Sequence, residues 1–200
     1  MTTIIGITGS IGSGKTTVAK LFSRHWYSRI DADEIGHQII KKNAAAYKKI
    51  IKNFGKDILD KNGSIDRKKL GNAVFDDHTK LKNLNSITHP IIINRIKKQI
   101  KETKEKCGDK TKIVIDAPLL LETKAKNLVD MIIVVSADKS NILKRLNKKL
   151  PKEKIERILK AQMPLKEKIK HADFVIGNNK GMGHLEKQVI KIIERIENKK

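Results

Sequence analysis

The stretch Gly6-Ile7-Thr8-Gly9-Ser10-Ile11-Gly12-Ser13-Gly14-Lys15-Thr16-Thr17 decides the fold. It reads as the end of a strand, a glycine-rich turn and the start of a helix. Gly9 to Thr16 fits the phosphate-loop pattern G-x-x-x-x-G-K-[ST] at every fixed position. Glycines let the main chain wrap closely around an anion with several N–H groups turned inward. A helix opening at Lys15 adds the positive end of its dipole. Lys15 supplies a cation for the outer phosphates, and the Thr16 hydroxyl is placed to ligate magnesium. The context the motif needs is present: Ile4, Ile5 and Ile7 come before it, and Val18, Ala19, Leu21 and Phe22 follow at helical spacing. The nucleotide-binding candidates are therefore Gly9, Ile11, Gly12, Ser13, Gly14, Lys15, Thr16 and Thr17. The bland alternative is a glycine-rich strand-to-helix turn with no ligand.

Two hundred residues, 38% hydrophobic and 33% charged, suit one well-cored polar domain. No apolar run reaches the roughly 18 residues of a membrane span. Met1-Thr2-Thr3 runs straight into the first strand without the features of a signal peptide. The single cysteine, Cys107, can form no intramolecular disulfide, so a cytoplasmic setting is expected. The net charge of +22 invites a nucleic-acid partner. Against it, the lysines are spread along the whole chain, and aromatic residues, at 4%, give few stacking platforms. Neither a specific nucleic acid nor a membrane is expected as a partner; a polyanionic small substrate would gain faster encounter from the same field. The oligomer is expected to be a monomer or a small homo-oligomer.

Working outward, residues 3–8 form the first strand and 15–24 the first helix. Ser28-Arg29-Ile30 is a short strand ending in Asp31-Ala32-Asp33. Carboxylates at a strand's C-terminal end sit where open α/β sheets place their sites. Asp31 and Asp33 share a side if the extended geometry continues. Asp33 either serves an acceptor hydroxyl or caps the helix that follows. From about 34 to 107 the chain is mostly helical. Gly55 is expected as a C-cap, Asp60 to Gly63 as a turn and Asp66 as an N-cap. Asp76-Asp77-His78 should break one helix, and His89-Pro90 should start another, with His89 by residue type a packed or capping residue. Cys107 to Thr111 is a polar loop.

Lys112-Ile113-Val114-Ile115-Asp116 is the clearest buried strand. An apolar run ending in Asp is the Walker B pattern, which makes Asp116 with Thr16 the candidate magnesium pair. Glu122, after Pro118-Leu119-Leu120-Leu121, reads as a solvated turn residue. Met131 to Val135 is a fourth strand, and Asp138 is expected to cap the next helix. Lys144, Arg145, Lys148 and Lys149 cluster before Pro151. Two short basic helices, 152–162 and 164–171, suit a lid over phosphates, with Arg145 as a planar phosphate clamp. Asp173 to Ile176 is a final strand, and a last helix spans about 182–197.

In these separate blocks, taken in order over nearly the full length, the chain resembles the dephospho-CoA kinase family. The blocks are Gly6 to Thr16; Asp31-Ala32-Asp33, the most specific; Phe54-Gly55 with Asp60 to Leu70; His89-Pro90; Asp116 to Glu122; and Gln162 to Lys168 with Ala172 to Ile176 and Asn178. The resemblance implies an α/β P-loop NTPase three-layer fold. It has a five-stranded parallel sheet, a helical substrate-binding insertion at about 34–107 and a helical lid at about 147–171, within one kinase domain over 1–200. It implies phosphorylation of the ribose 3′-hydroxyl of dephospho-CoA, the last step of coenzyme A synthesis, with ATP as co-substrate and Mg²⁺. It implies that Asp33, Lys15 and Arg145 are catalytic and that Arg145 and Asn178 reach ATP. It further implies that Asp31, Asp33, Arg67, His89, Pro118 and Leu119 hold the acceptor.

There are departures from the family pattern. Lys149-Leu150 stands where the family has a second lid arginine and an aspartate, and Arg24-His25-Trp26-Tyr27 is bulkier than the usual turn. Two rivals keep part of the pattern. A kinase of nucleoside monophosphates explains the phosphate loop but accounts less well for Asp31-Ala32-Asp33. A nucleic-acid-stimulated ATPase explains the charge. A GTPase lacks support, because no N-K-x-D segment is present.

Overall fold

The computed structural model describes residues 2–75, 77–108, 110–148 and 150–198. The chain runs β1 (Thr3–Gly9), α1 (Lys15–Arg24), β2 (Ser28–Asp31), α2 (Ala32–Ile39), α3 (Tyr47–Phe54), α4 (Arg67–Phe75), α5 (His78–Cys107) and β3 (Lys112–Asp116). After a 3₁₀ turn at Lys124–Leu128 come β4 (Met131–Ser136), α6 (Lys139–Leu146), α7 (Lys152–Ala161), α8 (Leu165–Lys170), β5 (Phe174–Gly177) and α9 (Met182–Glu197). It divides into two compact units, residues 1–31 with 100–200, and residues 32–99.

The first unit is a five-stranded sheet in the order β2-β3-β1-β4-β5, with every pairing parallel. β1 is central, and all seven of its residues are buried. A strand covered on both faces reads as a continuous apolar run, which is why TIIGITG carries no polar alternation. Ile5, Ile7, Val114, Ile133, Val135 and Ile176 point to one face and form a single core with Val18, Phe22, Leu185 and Val189 from α1 and α9. Phe22 meets Tyr27 edge-on, with centroids 5.2 Å apart. Burial, reinforced by Glu197, pushes the Tyr27 phenol up to about 12. The opposite face presents Gly6. There a Cβ would stand 2.4 Å from Leu120 Cδ2 and 3.1 Å from Val129 Cγ1, so the segment after β3 lies directly on the strand. A smaller cluster of Ala137, Ile142 and Ile155, flanked by Leu146 and Leu159, packs α6 on α7. Trp26, with φ 66° and 91% exposed, turns α1 toward β2; nothing in the structure explains its bulk.

The second unit is helical. Asp66 Oδ1 accepts from the N–H groups of Lys68 and Lys69 at 2.8 and 3.2 Å and caps α4. Those main-chain donors hold its carboxyl below the usual range. Asp60 Oδ1 closes the expected turn by accepting from Asn62 and Ser64, both at 2.9 Å. Gly55, at φ 80°, ends α3 with its N–H on the Ile51 carbonyl.

Three local expectations need correction. No helix starts at His89-Pro90: Pro90 lies inside α5, whose start is at His78, with Asp77 Oδ1 accepting from Lys80 N at 2.9 Å. Pro90 deprives the Ser86 carbonyl of its helical donor, but both residues are exposed, where water can supply one. Asp138 stands at the N-cap of α6 without a side-chain cap bond. Asn179 Oδ1 instead takes the Asp138 N–H at 2.9 Å and the Asn141 amide at 3.1 Å. The strand geometry that was to continue through Asp33 ends at Asp31, because the chain turns helical at Ala32. Asp76, Asp109 and Lys149 lie outside the described residues.

Gly6→Ala should destabilise the chain by about 1–3 kcal/mol through overpacking. In urea unfolding, Gly6→Ala combined with Leu120→Ala should cost less than the sum of the two single changes. Strict additivity would mean that Gly6 is not in contact with Leu120.

Candidate active site

The loop between β1 and α1 is shaped by three glycines with positive φ: Gly9 at 149°, Gly12 at 72° and Gly14 at 100°. Each also lacks room for a side chain. A Cβ would meet the Val135 carbonyl at 2.3 Å from Gly9, Leu146 Cδ1 at 2.9 Å from Gly12, and Asn178 Nδ2 at 2.2 Å from Gly14. Ser13 N–H closes the loop on the Ser10 carbonyl at 3.1 Å. Lys15 is buried and folds back, its Nζ donating to the same Ser10 carbonyl at 3.0 Å. Gly14 caps α1 with no side-chain bond, and the amides of Lys15, Thr16 and Thr17 fall in the first turn, where helical geometry supplies no acceptor. Ser13 Oγ is buried with no partner among the described residues. Positive-φ glycines, an uncapped helix start and an orphaned hydroxyl make a cradle that fits an anion.

Distant residues brace this loop. Asn178, just past β5, donates from Nδ2 to the Ser13 carbonyl at 2.8 Å. Arg145, in the last turn of α6, donates to the carbonyls of Gly12 at 3.2 Å, Ser13 at 3.4 Å and Asn178 at 2.6 Å. Gln162, between α7 and α8, accepts the Ile11 N–H at 3.0 Å. Arg145 thus lies before α7 and α8 and grips the loop's main chain.

The carboxylates cluster at the strand tips. Asp116 ends β3, in register with Ile7 of β1 and Asp31 of β2. It is 3% exposed and accepts from Arg29 Nη2 at 3.0 Å. The same Nη2 donates to Asp31 Oδ2. Asp116 leaves β3 on the face shared by Ile7 and Val114, which α1 covers. Pro118 and Leu119 follow, both half-buried. The Pro118 carbonyl accepts from Thr8 Oγ1 at 3.1 Å and from Lys168 Nζ at 2.9 Å. Glu122 is an exposed turn residue, as expected, but a partnered one. It pairs with the fully buried Lys168 ammonium at 2.8 Å and accepts the Met163 N–H at 3.1 Å, because a buried lysine requires a counter-charge.

In the helical unit, Asp33 lies exposed in the first turn of α2, Arg67 is exposed at the start of α4, and His89 is half-buried within α5. Burial pushes the His89 imidazole below its ordinary value.

The dephospho-CoA kinase family model matches residues 3–184. The chain belongs to that family. A dephospho-CoA kinase from Carboxydothermus hydrogenoformans is 43% identical over 96% of this chain and 93% of its own length. The solved dephospho-CoA kinase from Campylobacter jejuni superposes with a TM-score of 0.64 at 31% identity, covering 98% of this chain and 97% of its own. A shikimate kinase from Acinetobacter baumannii, 17% identical, shares the fold with a TM-score of 0.53 over 100% of this chain and 96% of its own.

Within this dephospho-CoA kinase family chain, sequence reasoning did not single out Arg29, Gln162 or the pairing of Lys168 with Glu122. Arg29 alone carried a readable signal: a cation two residues before Asp31 on a strand shares its face.

Gly14→Ala should weaken nucleotide binding by at least about 10-fold in calorimetry, since a Cβ there needs both a disfavoured φ and displacement of Asn178. His89, with its folded pKa lowered, takes up its proton more readily in the unfolded chain, so its contribution to stability falls as pH drops below about 6.5. His89→Gln should therefore flatten the loss of stability between pH 7 and 5.5 in urea titrations; an unchanged slope would show that His89 does not titrate differently on folding.

Proposed function

We propose that this chain transfers the γ-phosphoryl group of ATP to the ribose 3′-hydroxyl of dephospho-CoA, giving coenzyme A. Family membership supports the acceptor. The structural observation carrying the reading is the phosphate cradle of Gly9 to Thr17, locked from outside by Asn178 and Arg145. Such a transfer depends on positioning and charge stabilisation, because its transition state asks little covalent chemistry of the protein.

Residues Gly9, Ile11, Gly12, Ser13, Gly14, Thr16 and Thr17 hold the phosphates of ATP through main-chain amides and hydroxyls. Lys15 swings from the Ser10 carbonyl to the outer phosphates, and Arg145, with Asn178, spreads charge from beside the loop. Asp33 orients or deprotonates the acceptor hydroxyl from the start of α2. Asp31, Arg67, His89, Pro118 and Leu119 hold the rest of the acceptor. The helical unit serves as the acceptor domain, and residues 147–171 serve as the lid. His89, kept neutral near pH 7 by burial, acts as a hydrogen-bonding group rather than a cation.

Thr16 and Asp116 would hold Mg²⁺. A hydroxyl and a carboxylate are hard oxygen donors that suit this ion, which keeps several waters and takes few protein ligands. When bound, the ion neutralises charge between the outer phosphates. No described helix is long and apolar enough to cross a membrane. The lone exposed Cys107 suits a reducing compartment such as the cytoplasm.

In a coupled ATP-consumption assay, dephospho-CoA should act as acceptor in the presence of Mg²⁺; phosphorylation of a nucleoside monophosphate in its place would overturn the reading. Asp33→Asn, which keeps the shape but cannot take a proton, should lose about 10²–10⁴-fold in turnover. Its ATP affinity by calorimetry should stay nearly intact, and near-normal turnover would remove Asp33 from the chemistry.

A further inference from the structure

Two carboxylates in register on adjacent parallel strands repel each other at the mouth of a phosphate site. Asp31 and Asp116 are such a pair, and Arg29 sits between them. Its Nη2 donates to both, reaching Asp116 Oδ2 at 3.0 Å. The arrangement is built into the strands. Arg29 and Asp31 are two residues apart on β2 and share a face, and the register Arg29↔Val114, Asp31↔Asp116 brings the third group to that same face. The side chains are 21%, 28% and 4% exposed for Arg29, Asp31 and Asp116, so solvent screens the cluster only partly. The guanidinium holds this place although its Nε is buried with no hydrogen-bond partner among the described residues. A side chain placed only for packing would not leave a buried donor unsatisfied.

We infer that Arg29 is a positioning residue acting through Asp116: it is a resident counter-ion that occupies the carboxylate in the absence of a divalent cation and lowers the affinity of the site for that cation. The charge balance gives the direction. Asp31, Asp116 and Arg29 together carry one net negative charge, and without Arg29 the same cluster carries two. A divalent ion entering beside Asp116 meets the guanidinium charge at short range and must share the carboxylate or displace Arg29 from Oδ2. Displacing Arg29 costs a bare ion and a nucleotide-bound ion alike, and only the latter brings phosphate contacts that offset the cost. The tips of β2 and β3 then stay ordered while the site waits for substrate.

The inference rests on reading Asp116 as a cation ligand, and the experiment separates the two. Mn²⁺ binding to the full chain is titrated by electron paramagnetic resonance, without nucleotide and with ADP, for wild type, Arg29→Gln, Arg29→Val, Arg29→Lys and Asp116→Asn. Removing one positive charge at this range should tighten Mn²⁺ binding by about 10-fold in the Gln and Val variants. The two neutral side chains differ in shape, and valine favours a strand, so a folding defect in one leaves the other to decide. Lysine keeps the charge and should stay within about threefold of wild type. Metal-free ADP affinity should be unchanged in all three Arg29 variants, because the guanidinium bonds run to Asp31 and Asp116. Unchanged or weaker Mn²⁺ binding in the neutral variants overturns the inference, as does a lysine variant that binds as tightly as valine. If Asp116→Asn leaves Mn²⁺ binding unaltered, the ligand assignment itself fails. If Asp116→Asn weakens binding while Arg29→Val does not tighten it, only the role of Arg29 fails.

Discussion

The Ser13 carbonyl is the point on which the phosphate cradle turns. It accepts from Asn178 Nδ2 at 2.8 Å and from Arg145 at 3.4 Å, and the neighbouring Gly12 carbonyl accepts from Arg145 at 3.2 Å. In a trans peptide the C=O and the following N–H point in opposite directions. Drawing the Ser13 carbonyl outward therefore aims the Gly14 N–H the other way. The loop cannot relax from this shape without breaking bonds to two side chains. Those side chains come from the far end of the chain. Asn178 is placed by β5, whose register sets Gly177 beside Ser136, and its own N–H is held by the Ser136 carbonyl at 2.8 Å. A loop written in the first twenty residues is thus completed by the last strand, so the order of strands in the sheet is a condition of the loop's shape.

This also explains what could be read from the sequence and what could not. The first strand, loop and helix are local: apolar run, glycine spacing and amphipathic period all lie within one window, and α1 spans 15–24 as the periodicity predicts. Asp66, Asp60 and Gly55 act on neighbours two to four residues away, so their turn chemistry is equally legible. Asp138 fails for the opposite reason. Its side chain makes no cap bond, and its own N–H goes to Asn179, more than forty residues on, which only the pairing of β4 and β5 brings near. Glu122 and Lys168 could not be paired from spacing alone, nor could Gln162 and Ile11. Pro90 misled through a sound rule. Proline usually marks a helix start, yet here the cost of an interior proline, about 3 kcal/mol, is outweighed by the apolar period that continues through Ile92, Ile96 and Ile100.

The excess of lysine and the organisation of the site act on different length scales. A field of +22 spread over exposed helical faces can speed the approach of a polyanion, but it is screened over about 10 Å and sets no geometry. The geometry is set by the few cations that the fold buries or pins. Lys15 is on the Ser10 carbonyl, Lys168 on Pro118 and Glu122, and Arg145 on three main-chain carbonyls. Each is directed by at least one main-chain carbonyl that the fold has placed, which ties its orientation to the backbone.

The two acids of Asp31-Ala32-Asp33 are held by different means. Asp31 ends β2 and is fixed by Arg29, while Asp33 lies in the first turn of α2. The division between the two compact units falls between Asp31 and Ala32. A single intervening residue keeps the Asp33 and Asp31 Cα atoms within roughly 7 Å of each other by covalent geometry alone. The strand thus limits how far Asp33 stands from Asp31, and the first turn of α2 sets the direction of its side chain.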